Sequence, residues 1–285
     1  MKVVTSLEQF VRPENGSVVT IGNFDGVHLG HREIFRKVIK RARELDATAT
    51  VLTFEPHPLR LLAPERAPLR VNTPEEKVRL IEASCIDLLV VVEFTREFAA
   101  LSATEFVEDL LLGRLGVKTL IVGYDYAFGR GREGDLSFLK RMAEKQGFEL
   151  DILEPIRTGG EVYSSTRIRR ALEAGAVADV VSVLGRNFTL DGVVVHGDSR
   201  GRELGFPPAN LATGKELRPI HTDPAEREPL SFARDHPAIG QIKIAAGIVR
   251  RTGHQHEMRD VRRRERRQCA EREVGPYVAV DDDKR

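Results

Sequence analysis

Residues 17–45, SVVTIGNFDGVHLGHREIFRKVIKRAREL, decide how this chain is read. Ser17–Gly22 is a β-branched run stopped by glycine, the pattern of a buried strand. From Gly30 to Leu45 the apolar positions Ile34, Phe35, Val38, Ile39, Ala42 and Leu45 recur at three- and four-residue spacing, which predicts an amphipathic helix. Between them lies GNFDGVHLGH, Gly22–His31, a strand-to-helix turn of the kind that lines the ligand crevice at the carboxyl edge of a parallel sheet. Gly22, Gly26 and Gly30 permit a tight turn and close backbone approach. The first N–H groups of the helix and its dipole form an anion site. His28 just before the helix and His31 in its first turn can both face that anion. The spacing is neither the dinucleotide fingerprint GxGxxG nor a P-loop. Two surface histidines on a glycine turn, or a metal pair with Asp25, are the other readings of the same residues.

Outward from this turn the two periodicities keep alternating. Thr48–Phe54, Asp87–Val92, Val117–Val122 and Glu149–Leu153 read as strands. Pro74–Ser84, Ala103–Leu112 and Leu136–Gln146 read as helices, with Pro74 suited to a first turn. Strands separated by helices predict an α/β fold with a mostly parallel sheet. The runs at 87–92 and 117–122 lack clean alternation, as expected of strands covered on both faces. Residues 1–184 are thus expected to form one domain of this α/β kind. From Gly185 to Leu211 the chain turns to Gly, Asp, Asn, Pro and short Val runs, which predicts a second, smaller and incomplete β-barrel domain over 185–285. Ile239–Val249 reads as one strand. Pro219–Pro237 and the arginine-rich Arg259–Arg267 offer little to bury, so disorder is expected after about residue 219.

The 285 residues carry 44 basic and 43 acidic side chains, a net charge of +1, which gives no bulk attraction to nucleic acid. Hydrophobic residues make up 41%, which excludes a largely disordered chain, and two cysteines exclude a disulfide-stapled miniprotein. Cys85 reads as a core residue. Charges at Lys2 and Glu8 argue against a signal peptide and no apolar run suggests a membrane span, so the expected location is the cytoplasm, without membrane partners. The sequence says nothing of oligomeric state.

GNFDGVHLGH resembles the HxGH signature of the nucleotidyltransferase superfamily. In the fuller form GxFDGxHxGH it resembles the bacterial bifunctional riboflavin kinase/FMN adenylyltransferase (FAD synthetase) family. Phe54–Pro58 (FEPHP), Val122–Gly134 (VGYDYAFGRGREG) and Ser164–Arg169 (SSTRIR) match that family in order, and Gly201–Leu211 (GRELGFPPANL) is similar to its kinase phosphate loop. The resemblance implies a Rossmann-like nucleotidyltransferase domain over residues 1–184 and transfer of AMP from ATP to FMN, giving FAD and pyrophosphate with Mg²⁺. It implies that His28 and His31 are catalytic and that Gly22, Phe24, Asp25, Gly30, Ser164, Ser165, Thr166, Arg167 and Arg169 bind ATP and its phosphates. It places His57, Asp125 and Phe128 on the flavin side. From the residues alone, TRIRRALEAG, Thr166–Gly175, is a basic helix capped by Ser165 or Thr166 and closed by Gly175, and a purely structural turn fixed by Pro56 and Pro58 is the other reading of FEPHP.

The second domain departs from the family. Its phosphate loop normally reads GxPTANL, with Thr and Asn assisting Mg²⁺. Here Gly201, Gly205 and Asn210 are kept, but Pro208 takes the threonine's place, and proline has neither hydroxyl nor N–H. No convincing glutamate base follows. Riboflavin kinase activity is therefore expected to be weak or lost, with Asn210 the one remaining metal candidate of a vestigial loop. A fully bifunctional enzyme is the alternative. From a different class, a non-catalytic flavin or nucleotide sensor with a nucleic-acid-binding tail is the other reading, motivated by the six arginines of Arg259–Arg267.

Overall fold

The computed structural model describes residues 1–195, apart from Gln9 and Gly159, and the backbone of strands at 210–212, 241–245 and 248–251. The chain opens with strands β1 (Lys2–Val4) and β2 (Ser17–Ile21), followed by helix α1 (Leu29–Glu44) and strand β3 (Thr48–Glu55). Two helices, α2 (Pro58–Leu62) and α3 (Pro74–Glu82), lead to β4 (Leu88–Glu93). Helices α4 (Arg96–Ala99) and α5 (Ala103–Glu105) precede β5 (Val117–Gly123), and α6 (Leu136–Gln146) precedes β6 (Glu149–Leu153). A short antiparallel pair, β7 (Arg157–Thr158) and β8 (Glu161–Val162), then delivers the chain to α7 (Ser165–Glu173) and α8 (Val177–Leu184).

Strands β1 to β6 form one sheet in the order β1-β4-β3-β2-β5-β6, and every pairing is parallel. The predicted α/β fold is therefore the observed one. All five residues of β2 are buried, as a central strand covered on both faces requires. On one face Val18, Phe35, Val38, Val51, Ile81, Leu89 and Ile121 pack together under α1 and α3. On the other, Val19, Leu52, Val90, Leu110, Leu120 and Leu139 form a second core. Neighbouring residues such as Val18 and Val19 fall on opposite faces because side chains alternate along a strand. The chain builds outward from β2 through β3 to β4, then returns to the other side of β2 with β5. The order thus reverses beside β2, and the crevice opens at the end of that strand, where Gly22–His31 begins.

Several elements differ from the expectation. Strand β1 has three residues, too few to show a period, and forms by pairing with Leu88–Val90 at the sheet edge. The helix expected over 103–112 starts with a Ser102–Glu105 capping box but widens into a π-helix over Phe106–Arg114, with the Leu115 N–H donating to the Leu110 carbonyl at 3.0 Å. Cys85 is not core: it is half-buried at the turn before β4, with a left-handed φ of 64°. Helix α8 was not anticipated. Its Val180, Val183 and Leu184 join Ile168 and Leu172 of α7, Val71 and Phe188 in a third apolar cluster.

Beyond α8, strands β9 (Thr189–Val195), β10 (Asn210–Ala212), β11 (Gln241–Ala245) and β12 (Ile248–Arg251) form an antiparallel sheet in the order β10-β9-β11-β12. The single strand expected over 239–249 is two, and both lie in the stretch where disorder was expected. Gly201, Gly205, Pro208 and Arg259–Arg267 lie outside the described residues. Asn210 opens β10, paired with Val195. No helix among the described residues is long and apolar enough to cross a membrane.

Candidate active site

The turn after β2 is shaped by unusual backbone. Phe24 and Val27 have φ of 47° and 39°, left-handed values that cost a β-branched residue such as Val27 and persist only where surroundings hold them. Phe24 is buried and does not face the crevice. Its ring meets His31 edge-on at 5.2 Å and Phe35 at 5.0 Å, so it supports the histidines from below. The glycines leave room for this packing. A Cβ on Gly22 would come within 3.0 Å of the Phe24 ring, and one on Gly30 within 3.1 Å of the His28 ring and of Tyr163.

His28 and His31 stack with centroids 3.6 Å apart and planes 20° from parallel. His28 is also the N-cap of α1: its Nδ1 accepts the His31 N–H at 3.3 Å. One of the helix N–H groups that the sequence reading assigns to an anion is therefore taken by His28. The N–H groups of Leu29 and Gly30 remain without intrahelical acceptors, as in any first turn. Burial, reinforced by the nearby Arg186 charge, lowers the His28 pKa to about 3. Burial and then the His28 charge hold His31 well below its ordinary value, and its Nδ1 is buried without a partner. Both rings are neutral at pH 7. Since His28 Nδ1 accepts, its proton sits on Nε2, which is left as a donor.

The second motif packs against this turn. Ser164, not Ser165 or Thr166, caps α7: its backbone is extended and its Oγ accepts the Arg167 N–H at 3.1 Å. Ser165 lies one residue inside the helix, and its Oγ donates to the Asp25 carbonyl at 2.7 Å. Thr166 is exposed, and Arg167 pairs with the exposed Glu161 at 2.9 Å. Asp25 and Arg169, both expected to meet phosphate, are bound to each other. The buried Asp25 carboxylate accepts the Val71 N–H at 3.0 Å, the Asn72 N–H at 3.3 Å and the Arg169 guanidinium. Arg169 Nε donates to the Leu69 carbonyl at 2.8 Å. A buried carboxylate needs such partners, and these tie the histidine turn, the 69–72 loop and α7 together.

The three residues expected on the flavin side are not gathered into one cluster. His57 caps α2, its Nδ1 accepting the Leu59 N–H, and lines a small pocket with Asn23, Asp25, Phe54, Asn72 and Lys77. Burial and then the Arg169 charge lower its pKa to about 4. Phe128 is only 8% exposed, packed on Phe106 at 5.0 Å and on Tyr126 at 5.5 Å, a core position because the chain folds back there in a bridge to Gly134. Asp125 stands exposed after β5.

Sequence reasoning missed Lys77, Arg70 and Arg186. Lys77 is a largely buried cation, its side chain 12% exposed, whose Nζ lies 3.8 Å from Glu55 and donates to Thr53 Oγ1 at 3.3 Å. Arg70 also pairs with Glu55. A lysine on the inward stripe of α3, next to the buried Glu76, is the one signal that could have pointed to it. Among the described residues no group of three or more His, Cys, Asp or Glu side chains could hold a metal ion.

The buried histidines make stability pH-dependent with a definite sign. His28 has a pKa of about 3 when folded and 6.5 ordinarily, so the unfolded chain takes up its proton first. Its contribution is whole above pH 6.5 and is lost as pH falls toward 3, by about 1.4 kcal/mol per pH unit inside that window. Urea unfolding at pH 7, 6 and 5 should show falling stability, with a shallower slope for His28→Asn, which keeps a capping acceptor but does not titrate. Equal slopes would contradict the neutral assignment.

A parallel sheet carrying a stacked histidine pair on a helix N-terminus at its switch point, backed by a serine-capped basic helix, defines a Rossmann-like nucleotidyltransferase. The sequence matches the FAD synthetase family over residues 11–167 and the riboflavin kinase family over residues 184–227. The chain belongs to the bacterial bifunctional riboflavin kinase/FMN adenylyltransferase (FAD synthetase) family. It is 40% identical over 221 residues to the Escherichia coli bifunctional riboflavin kinase/FMN adenylyltransferase, covering 77% of this chain and 71% of that one. It is 34% identical over 244 residues to the Buchnera aphidicola protein of the same description, covering 86% and 77%. A crystal structure from Streptococcus pneumoniae described as a macrolide-efflux protein shares the fold at a TM-score of 0.71 and 24% identity, covering 95% of this chain and 98% of that one, a likeness of fold alone.

Proposed function

We propose that this protein transfers the AMP moiety of ATP to FMN, giving FAD and pyrophosphate. The observation that carries the reading is the neutral, stacked His28–His31 pair at the start of α1, inside a chain of this family. An FMN phosphate oxygen attacks the α-phosphorus, the new P–O bond forms, and the bond to the bridging oxygen of pyrophosphate breaks. The nucleophile is already an anion, so no base is needed, and neutral imidazoles suit the task. They donate N–H bonds to phosphate oxygens whose charge grows during transfer. The Leu29 and Gly30 N–H groups add a fixed positive end. Gly22 and Phe24 shape and support the pair, and Ser164, Ser165, Thr166 and Arg167 supply the opposite wall, where Arg167 can trade the exposed Glu161 for phosphate. Asp25 and Arg169 act as positioning residues. The pocket containing His57 faces the FMN side, with Asp125 and Phe128 farther along the ends of the strands.

Mg²⁺ on this reading enters with ATP, as a hard cation held by phosphate oxygens. On this reading the division of labour falls between residues 184 and 185, after the FAD synthetase match that ends at 167 and near the start of the riboflavin kinase match at 184, and the enzyme works in the cytoplasm. The kinase half is read as weak or inactive, on Pro208 in place of the family's threonine.

Purified protein given ATP, Mg²⁺ and FMN should form FAD and pyrophosphate. Folded protein that binds ATP yet forms no FAD would overturn the reading. With riboflavin in place of FMN, chromatography should show little or no FMN. Robust phosphorylation would show the enzyme to be fully bifunctional.

A further inference from the structure

Arg186 lies after α8, outside the FAD synthetase match that ends at residue 167, yet it reaches back to the histidine turn. Its Nη2 donates to the Gly26 carbonyl at 2.9 Å, and its Nη1 to the Val27 carbonyl at a longer 3.5 Å. These carbonyls belong to the left-handed Gly26–Val27 step, with φ of 85° and 39°, immediately before His28. Gly185, at φ 62°, presses on the next residue of the same turn: a Cβ there would lie 2.4 Å from Leu29 Cδ2. Two adjacent residues therefore hold three positions of the turn, 26, 27 and 29, on either side of His28, from a segment about 160 residues away. The clasp is itself braced. Thr189, at the start of β9, donates to the buried Glu76 of α3, and the Glu76 charge lies beside Arg186.

We propose that Arg186, seated by Gly185, is a positioning residue for adenylyl transfer: it fixes the Gly26–Val27 backbone and with it the placement of the His28 ring. This rests on the function proposed above. The clasp is built from a fork, a charge and a close backbone approach. A guanidinium that donates to two carbonyls cannot be copied by an ammonium, which acts as a point charge. The cation also stands close to His28, where it opposes protonation of the imidazole. The other groups that bear on this cluster are His31, stacked on His28, Arg32 on α1 and Glu76 on α3, the last two beside Arg186.

The experiment uses the full chain with two substitutions, Arg186→Met, which removes fork and charge, and Arg186→Lys, which keeps the charge. In Arg186→Met kcat for FAD formation should fall roughly 10–100-fold, as misplaced reacting groups do, with KM for FMN little changed. NMR of labelled histidines, with His28 assigned through His28→Asn, should show the His28 ring titrating at higher pH in Arg186→Met than in the wild type. In Arg186→Lys the His28 titration should stay near that of the wild type while kcat remains lowered. A Met variant with unchanged kcat, or with an unmoved His28 titration, overturns the proposal. Should the Met variant not fold, a Lys variant with wild-type kcat overturns it, and a lowered kcat with unmoved titration supports it. The titration needs no turnover, so failure of the wild type to make FAD would count against the proposed reaction while the link between Arg186 and His28 is still scored.

Discussion

Alanine at His28 or His31 is expected to lower kcat for FAD formation by about 10²–10³-fold, the loss typical of removing one donor to developing oxyanion charge, and to leave KM for FMN nearly unchanged. The two rings stack on one another and act on charge that is largest in the transition state, so the loss appears in kcat. Removing His28 also takes away the N-cap of α1, which costs about 1 kcal/mol of stability on its own. His28→Asn separates the two effects: it should recover the stability lost in the alanine variant while leaving turnover low. His31 carries no cap, and its alanine variant should be slow and lose stability only through the ring's packing against His28 and Phe24. Because His28 is neutral down to about pH 3, the wild-type rate should show no acid-side rise as pH passes the ordinary histidine value. A rate that climbs as pH falls through 6.5 would assign the work to an imidazolium and contradict the donor role. Unchanged turnover in both alanine variants would remove the pair from the mechanism.

The second large effect is expected at Asp25. Asp25→Ala would leave the Arg169 guanidinium, whose side chain is 14% exposed, and the Val71 and Asn72 N–H groups without their acceptor. Removing one partner of a buried ion pair costs about 3–5 kcal/mol, most of it from the stranded charge. The same change removes the carboxylate ties of the histidine turn to Arg169 of α7 and to the 69–72 loop, leaving only the Ser165 bond to the residue-25 carbonyl on the α7 side, so FAD formation should fall with stability. The double variant Asp25→Ala/Arg169→Met should lose clearly less than the sum of the single losses, because the stranded charge is gone. Urea unfolding of the four proteins measures this directly. A single Asp25→Ala variant within about 1 kcal/mol of wild type would show that the pair does not hold the site together.

Much of the fold was legible in local order. The β-branched runs, the three-and-four spacing of α1, α3 and α6, and the glycine stop after β2 are properties of neighbouring residues, and short-range sterics and one-sided burial are enough to express them. Leu136–Gln146 and Glu149–Leu153 have the same ends in the sequence reading and in the folded chain. The motifs around His28 and Ser164 were legible for the same reason, being contiguous. What tertiary structure alone decided lies between segments far apart in the chain. Asp25 and Arg169 look like two phosphate ligands until folding brings them together across 144 residues and each satisfies the other. Arg186 carries no signal in the sequence until folding brings it to Gly26 across 160 residues. Phe128 looks like a ligand contact until the chain folds it under Phe106, and three residues become β1 only because β4 has an edge to pair with. Periodicity reports which face of an element is buried. It does not say which polar group another segment will place there, because a buried charge must find a partner and that partner is set by packing.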